Sequence, residues 1–166
     1  MKLSKKVNKV YLLLGSNIGD TLQKINLAKK LIEKHIGICK ASSSIYLTKA
    51  WGREEQSDFL NQVIEIETLF SALDCLQKIL AIENMMGRIR TVKNAPRIID
   101  IDILFYNNEI INKQSLVVPH PEIQNRRFVL TPLNEISPSF VHPLLKKSIH
   151  TLLTICIDPL PVKILS

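Results

Sequence analysis

The sequence is short of cysteine and aromatic residues, and no long apolar run opens it. Its three cysteines, Cys39, Cys75 and Cys156, are odd in number, widely spaced and free of any C-x-x-C pair. This argues against a disulfide framework or a zinc site, and each thiol is expected to be a small buried hydrophobe. Aromatics make up 5% of the chain, too few for the base-stacking surfaces of nucleic-acid modules. The apolar run after the N-terminal lysines spans only Val10 to Leu14 before Gly15-Ser16-Asn17 interrupts it. A secretory core takes roughly 7–15 apolar residues and a membrane helix about 20. A soluble cytoplasmic protein with no membrane partner is therefore expected. Internal repeats and low-complexity tracts are also missing. So is the G-x-x-x-x-G-K-[ST] spacing that would turn Gly15-Ser16-Asn17 into a phosphate loop; a tight strand-to-helix turn is expected there instead.

The 166 residues suit a single domain spanning 1–166 with a real core. Four of the seven net positive charges come from Lys2, Lys5, Lys6 and Lys9, so residues 1–8 read as a solvated flexible tail. The remainder is modestly basic, which suits a polyanionic ligand.

Hydrophobic patterning gives the order of elements. Lys9 to Leu14 is apolar without alternation, a strand covered on both faces. Asp20 reads as a helix N-cap, followed by Leu22, Ile25, Ala28, Ile32 and Ile36 at helical spacing, with Gly37 as the stop. Ile38 to Thr48 reads as a second strand and Lys49 to Ser57 as a loop. Phe59 to Thr68 is a third strand, with Leu60, Ile64 and Ile66 on one face. Ser71 with Asp74 forms a capping box for a helix carrying Leu73, Leu76, Ile79, Leu80 and Met86, ending near Gly87. Ile98 to Tyr106 is a fourth strand, turned by Asn107-Asn108. The order β-α-β-β-α-β predicts an α+β fold, a ferredoxin-like sandwich with an antiparallel sheet. Added C-terminal pieces are expected as strands at Glu109–Ile111 and Leu116–Val118 and helices at Phe128–Ile136 and Ser148–Cys156.

The segment Pro96-Arg97-Ile98-Ile99-Asp100-Ile101-Asp102-Ile103-Leu104 carries the chemistry. In a strand, residues i and i+2 share a face at a separation of ~6.5–7 Å, so Asp100 and Asp102 point together while Ile99, Ile101 and Ile103 enter the core. Two adjacent carboxylates repel unless a cation joins them. Mg²⁺ is commonly held by one or two carboxylates and substrate phosphates. Arg88, Arg90 and Arg97 lie close by in the chain and suit phosphate oxygens. His120 stands rigidly between Pro119 and Pro121, and Asn125-Arg126-Arg127-Phe128 offers more cations and an aromatic.

These blocks together resemble 6-hydroxymethyl-7,8-dihydropterin pyrophosphokinase, a folate-pathway enzyme family. The matching stretches are Leu14-Gly15-Ser16-Asn17-Ile18-Gly19, Phe59-Leu60-Asn61, Gly87-Arg88-Ile89-Arg90, Pro96 to Asp102, and Val118-Pro119-His120 with Asn125-Arg126. They run in the family's order over roughly residues 9–145. The resemblance implies transfer of pyrophosphate from ATP to the pterin alcohol, releasing AMP. It implies that Asp100 and Asp102 bind two Mg²⁺ ions, and that Arg88 and Arg97 act catalytically with them. Glu83, Arg90, Ile103, His120 and Arg126 would form the ATP site; Thr48, Phe59, Asn61 and Phe128 would line the pterin pocket.

Several positions depart from the family's pattern. Lys93-Asn94-Ala95 stands where Arg-Trp-Gly is frequent, Leu80 replaces a Gln, and Lys49-Ala50 replaces a Pro-containing pair. Ser115 and Val117 replace basic and hydroxyl residues. Two other readings follow: an inactive relative that binds ATP without turnover, and a nucleic-acid-binding ferredoxin-like module. Asp100 and Asp102 would repel a phosphate backbone in the second. The expected partners are the pterin and ATP alone, bound by a monomer. The loops at Lys49–Ser57 and Arg90–Ala95 are expected to order when ligand binds.

Overall fold

The computed structural model describes residues 4–49, 57–89 and 96–165. Its first strand, β1 (Asn8–Ser16), runs through the middle of the main sheet. Val10, Leu12 and Leu14 enter one core and Tyr11 and Leu13 another. The unbroken apolar run of β1 is thus explained by cover on both faces.

A helix follows, α1 (Thr21–His35), started by the Asp20 side chain accepting from the Gln23 N–H at 3.1 Å. Ile25, Ala28 and Ile32 pack onto the sheet, whereas Leu22, expected on the same stripe, is 40% exposed at the first turn. The predicted second strand is broken in two: β2 (Ile38–Ser42) and β3 (Tyr46–Thr48). Between them the hydroxyl of Ser43 accepts from Val63 N–H and donates to the Ser44 carbonyl. Serine hydroxyls that bond backbone groups in this way compete with the ladder.

Both pieces pair antiparallel with β4 (Phe59–Thr68), whose bounds agree with the sequence reading. Next comes α2 (Ala72–Met85), entered through the Ser71–Asp74 box, with Asp74 N–H donating to Ser71 Oγ at 3.2 Å. Gly87, at φ +84°, closes it in a conformation that favours glycine. The strand β5 (Asp100–Tyr106) lies at the sheet edge beside β1. It starts two residues later than the pattern suggested.

The sheet order is β5-β1-β4-β3, with β2 also on β4, and every pairing is antiparallel. With α1 and α2 on one face, this is the expected ferredoxin-like α+β arrangement. Short strands β6 (Ile111–Asn112) and β7 (Val117–Val118) pair apart from it. Helices α3 (Arg127–Ile136) and α4 (Ile149–Ile155) fall within a residue of their expected bounds and cover the opposite face. The last strand, β8 (Val162–Ile164), was not foreseen and extends the sheet beyond β3.

A bulge in β5 serves the core. Leu12 pairs with Ile103 and Tyr11 with Phe105, which leaves Leu104 as the extra residue. Leu104 and Phe105 both enter the core under α3 and α4, while Ile101 and Ile103 pack toward α1 and α2. Cys75 and Cys156 are buried and Cys39 is half-buried, all as free thiols. Among the described residues no helix is long and apolar enough to cross a membrane.

Candidate active site

Cross-strand register builds the site. Gly15 pairs with Asp100 on one side and Asn61 on the other, and Asn61 pairs in turn with Tyr46. Directly opposed residues share a face, so one row across the sheet reads Asp100, Gly15, Asn61, Tyr46. The glycine opens the row. A Cβ on Gly15 would stand 2.9 Å from Asn61 Oδ1, so any side chain there would push the amide aside and fill the gap before Asp100.

Over this row lies a cleft lined by Gly15, Thr48, Phe59, Asn61, Asp100 and Phe128 among others. Asn61 is buried and donates through Nδ2 to Thr48 Oγ1 at 2.7 Å. The amide and hydroxyl form a fixed polar pair, with Phe59 and Phe128 as apolar walls. Arg126 lies over the Phe128 ring, 5.8 Å from its centroid.

A second cleft follows the outer edge of β5. It is lined by Leu76, Leu80 and Glu83 from α2, by Ile101 and Ile103, and by Ser115, Val117 and His120 across from them. Asp100 and Asp102 line both clefts. The two cavities therefore meet at the carboxylate pair.

The pair sits in a web of charge. Asp100 accepts from Arg88 Nη1 at 2.8 Å and from Arg97 Nη1 at 2.9 Å. Arg88 also reaches Glu83 at 2.7 Å. Burial alone would lower the Arg88 pKa, but Asp100 and Glu83 outweigh it and raise the value above its ordinary one. Glu83, itself buried, accepts from Ile101 N–H at 2.9 Å and so ties the end of α2 to β5. Arg97 is placed by the Gly15-Ser16-Asn17 turn. Asn17 N–H donates to the Arg97 carbonyl, Asn17 Oδ1 accepts from Arg97 N–H, and Asn17 Nδ2 donates to the Ser57 carbonyl. The turn is structural, as expected, and it also holds the base of the arginine.

The Asp102 carboxyl is enclosed at the bottom of the cleft. Enclosure first, then the charges of Asp100 and Glu83, push its pKa up to about 7, against the pull of Arg97 and Arg126. His120 is placed by its N–H donating to the Leu104 carbonyl at 3.0 Å. Its Nδ1 accepts from Glu122 N–H, and burial with the nearby Arg126 charge lowers its pKa. The imidazole is neutral with its proton on Nε2, an uncharged donor facing the second cleft.

The structure thus brings together Thr48, Phe59, Asn61, Arg97, Asp100, Asp102, Arg126 and Phe128 around one cleft and Glu83, Ile103 and His120 around the other. Arg88 bridges Glu83 and Asp100. Arg90 lies outside the described residues, as do Asn94, Ala95 and most of the two loops expected to order on binding. The sequence reading missed Lys49 as a lining residue; its signal was a basic side chain directly after Thr48. Leu80, which stands where the family's Gln would contact the nucleotide, lines the second cleft, and so do Ser115 and Val117, noted only as departures.

A carboxylate pair beside arginines, at the junction of a cleft along the β5 edge and one walled by Phe59 and Phe128, defines an enzyme site suited to moving a phosphate-containing group between two ligands. The comparisons agree. Residues 11–138 match the model of the 7,8-dihydro-6-hydroxymethylpterin-pyrophosphokinase (HPPK) family, and the chain belongs to that family. It is 44% identical over 138 residues to a 2-amino-4-hydroxy-6-hydroxymethyldihydropteridine pyrophosphokinase from Aquifex aeolicus, covering 83% of this chain and 86% of that one. The enzyme of the same name from Bacillus subtilis is 43% identical over 130 residues, covering 78% of each. A folic acid synthesis protein from Dictyostelium discoideum is 44% identical, but the chain spans only 21% of its length. Among solved structures, wild-type Plasmodium falciparum HPPK-DHPS superposes with a TM-score of 0.74 at 19% identity, over 91% of this chain and 45% of that one. This last likeness is one of fold.

Proposed function

We propose that the chain transfers a pyrophosphoryl group from ATP to 6-hydroxymethyl-7,8-dihydropterin, releasing AMP, as a step of folate synthesis. The observation that carries this reading is the position of Asp100 and Asp102 where the two clefts meet. Any group passing from a ligand in one to a ligand in the other must cross the carboxylates.

The aromatic cleft takes the pterin. Phe59 and Phe128 hold its ring faces, and Asn61 with Thr48 reads its polar edge. The edge cleft takes ATP along Glu83, Ile103 and His120, with Arg126 between the two; Arg90 is assigned to the same ligand by the family resemblance alone. Neutral His120 donates through Nε2 without adding charge. The pterin hydroxyl oxygen bonds to the β-phosphorus as the bond from that phosphorus to the α-phosphate oxygen breaks. AMP leaves with the bridging oxygen and the hydroxyl proton is released. Arg88 and Arg97 lie where charge gathers on the transferred group. Reactions of this kind rest on positioning and charge neutralisation rather than covalent catalysis.

The residues suit Mg²⁺. Asp100 and Asp102 offer hard oxygen donors, and each oxygen of Asp100 keeps lone-pair capacity beside its arginine. Burial, then the charges of Asp100 and Glu83, raise the Asp102 pKa, and a bound cation would lower it again. Among the described residues no group of three or more His, Cys, Asp or Glu side chains is arranged to hold a metal; Asp100 and Asp102 would hold the ion together with substrate phosphates. Two Mg²⁺ ions bound there would neutralise and orient the phosphates. The proposal includes a monomer acting in the cytoplasm.

Nucleotide product analysis with Mg-ATP and 6-hydroxymethyl-7,8-dihydropterin tests the reading. AMP formed only when both substrates and Mg²⁺ are present is the expected result. ADP would mean a single phosphoryl transfer at this site. Bound ATP without turnover would mean that the site binds without catalysing.

A further inference from the structure

Glu135, near the end of α3, makes contacts that the proposed chemistry does not use. Its Oε1 accepts from Ser44 N–H at 3.0 Å and from Ser44 Oγ at 2.7 Å. Its Oε2 accepts from the Tyr46 hydroxyl at 2.6 Å. Both oxygens of one helix carboxylate are thus spent on the start of β3, some ninety residues away in the chain. These bonds hold the Glu135 pKa below its ordinary value, although burial alone would raise it. Burial, then the bond to Glu135, pushes the Tyr46 phenol up to about 12.

The register shows what this tie controls. Tyr46 pairs with Asn61 and Thr48 with Phe59, and Tyr46 and Thr48 share a face of β3. The tie therefore sits one step from the aromatic cleft. At the other end of the same helix stand Arg126 and Phe128, which line its far wall. Val129, Leu130 and Leu133 seat the helix in the core, and the carboxylate ties the start of β3 to it.

We propose that Glu135 is a positioning residue for the acceptor. Through Tyr46 and Ser44 it fixes the distance between the Thr48–Asn61 edge and the Phe128 wall, and hence how tightly a flat ring is held. The inference rests on the reading of this cleft as the pterin site. Charge-assisted hydrogen bonds of this kind support an effect of about tenfold.

The test uses Glu135→Ala, Glu135→Gln and Tyr46→Phe in the full chain. KM for the pterin should rise about tenfold in Glu135→Ala and by roughly threefold in Tyr46→Phe, with Glu135→Gln close to wild type because its amide oxygen still accepts. KM for ATP should stay within about twofold, since no residue of β3 lines the nucleotide cleft and α3, which carries Arg126 at its start, stays seated in the core. Fluorescence titration with unreactive 6-hydroxymethylpterin reads the same losses without turnover. Equal rises in both KM values, or variants that bind the pterin as tightly as wild type, would overturn the inference alone. Wild-type protein that binds no pterin would overturn the functional reading as well.

Discussion

At Asp102 stability and activity oppose each other. An unfolded aspartate titrates near 3.8, whereas enclosure beside Asp100 and Glu83 brings this one to about 7 in the folded protein. Between those values the folded state holds a proton that the unfolded chain has lost. Stability therefore falls as pH rises across that window and levels off above it. Asp102→Asn removes this cost. In melts at pH 8 without Mg²⁺ or nucleotide, the variant should unfold a few degrees above wild type, with the gap closing toward pH 4. Its turnover should fall by at least about 10²-fold. A lower melting temperature at pH 8 would contradict the charge balance assigned to the site. His142 shows the opposite sign at a buried structural position. Its Nδ1 accepts from Leu144 and Leu145 N–H groups, its ring packs edge-on against Phe105, and burial lowers its pKa. By NMR it should titrate below the ordinary 6.5; a midpoint at or above that value would mean the ring is solvated.

Elements are held in place by close approach as much as by burial. Gly37 joins α1 to β2, and a Cβ there would stand 2.2 Å from the Glu67 carbonyl oxygen of β4. The obstacle is backbone, so a strand or helix end must shift. Gly37→Ala should cost about 1–3 kcal/mol in urea unfolding, while KM values for both substrates stay unchanged because the junction lies away from both clefts. A neutral effect on stability would show that the turn yields easily. Gly15, by contrast, is small on behalf of the site, since it leaves room between Asp100 and Asn61. The bulge at Leu104 serves the core. With the extra residue, Leu104 and Phe105 can both enter the core under α3 and α4, on the face that Asp100 and Asp102 take.

Across the whole molecule, one sheet separates two cores. Ile79 belongs to the core under α1 and α2, and Leu133 to the core under α3 and α4; both are fully buried. Residues of β1, β4 and β5 contribute to both, so the two cores should be lost together. Ile79→Ala and Leu133→Ala should each cost about 2–5 kcal/mol, and each variant should unfold in a single transition by far-UV circular dichroism. Two transitions in the Leu133 variant would mean that the α3–α4 layer is a separable unit.

The sequence by itself determined the local and periodic features. Asp20 and the Ser71–Asp74 box mark helix starts because their side chains bond backbone groups three residues away. The apolar run of β1 announces cover on both faces, and the alternation from Ile99 to Ile103 puts the two aspartates side by side. Order along the chain gave the sandwich, and motif resemblance gave the site residues, because the chemistry concentrates in short contiguous blocks. Only the tertiary structure decided what depends on contacts between distant segments. It broke the predicted second strand at Ser43, whose hydroxyl bonds Val63 across the sheet, and added β8 beside β3. It left Leu22 40% exposed at the helix start. It brought Glu135 to Tyr46 and turned Leu80, Ser115 and Val117 toward one cleft. It also placed Asp100 and Asp102 where two cavities join. Periodicity specifies which face a side chain takes, but not what lies opposite that face, since the opposing groups come from segments whose separation in the chain carries no local signal.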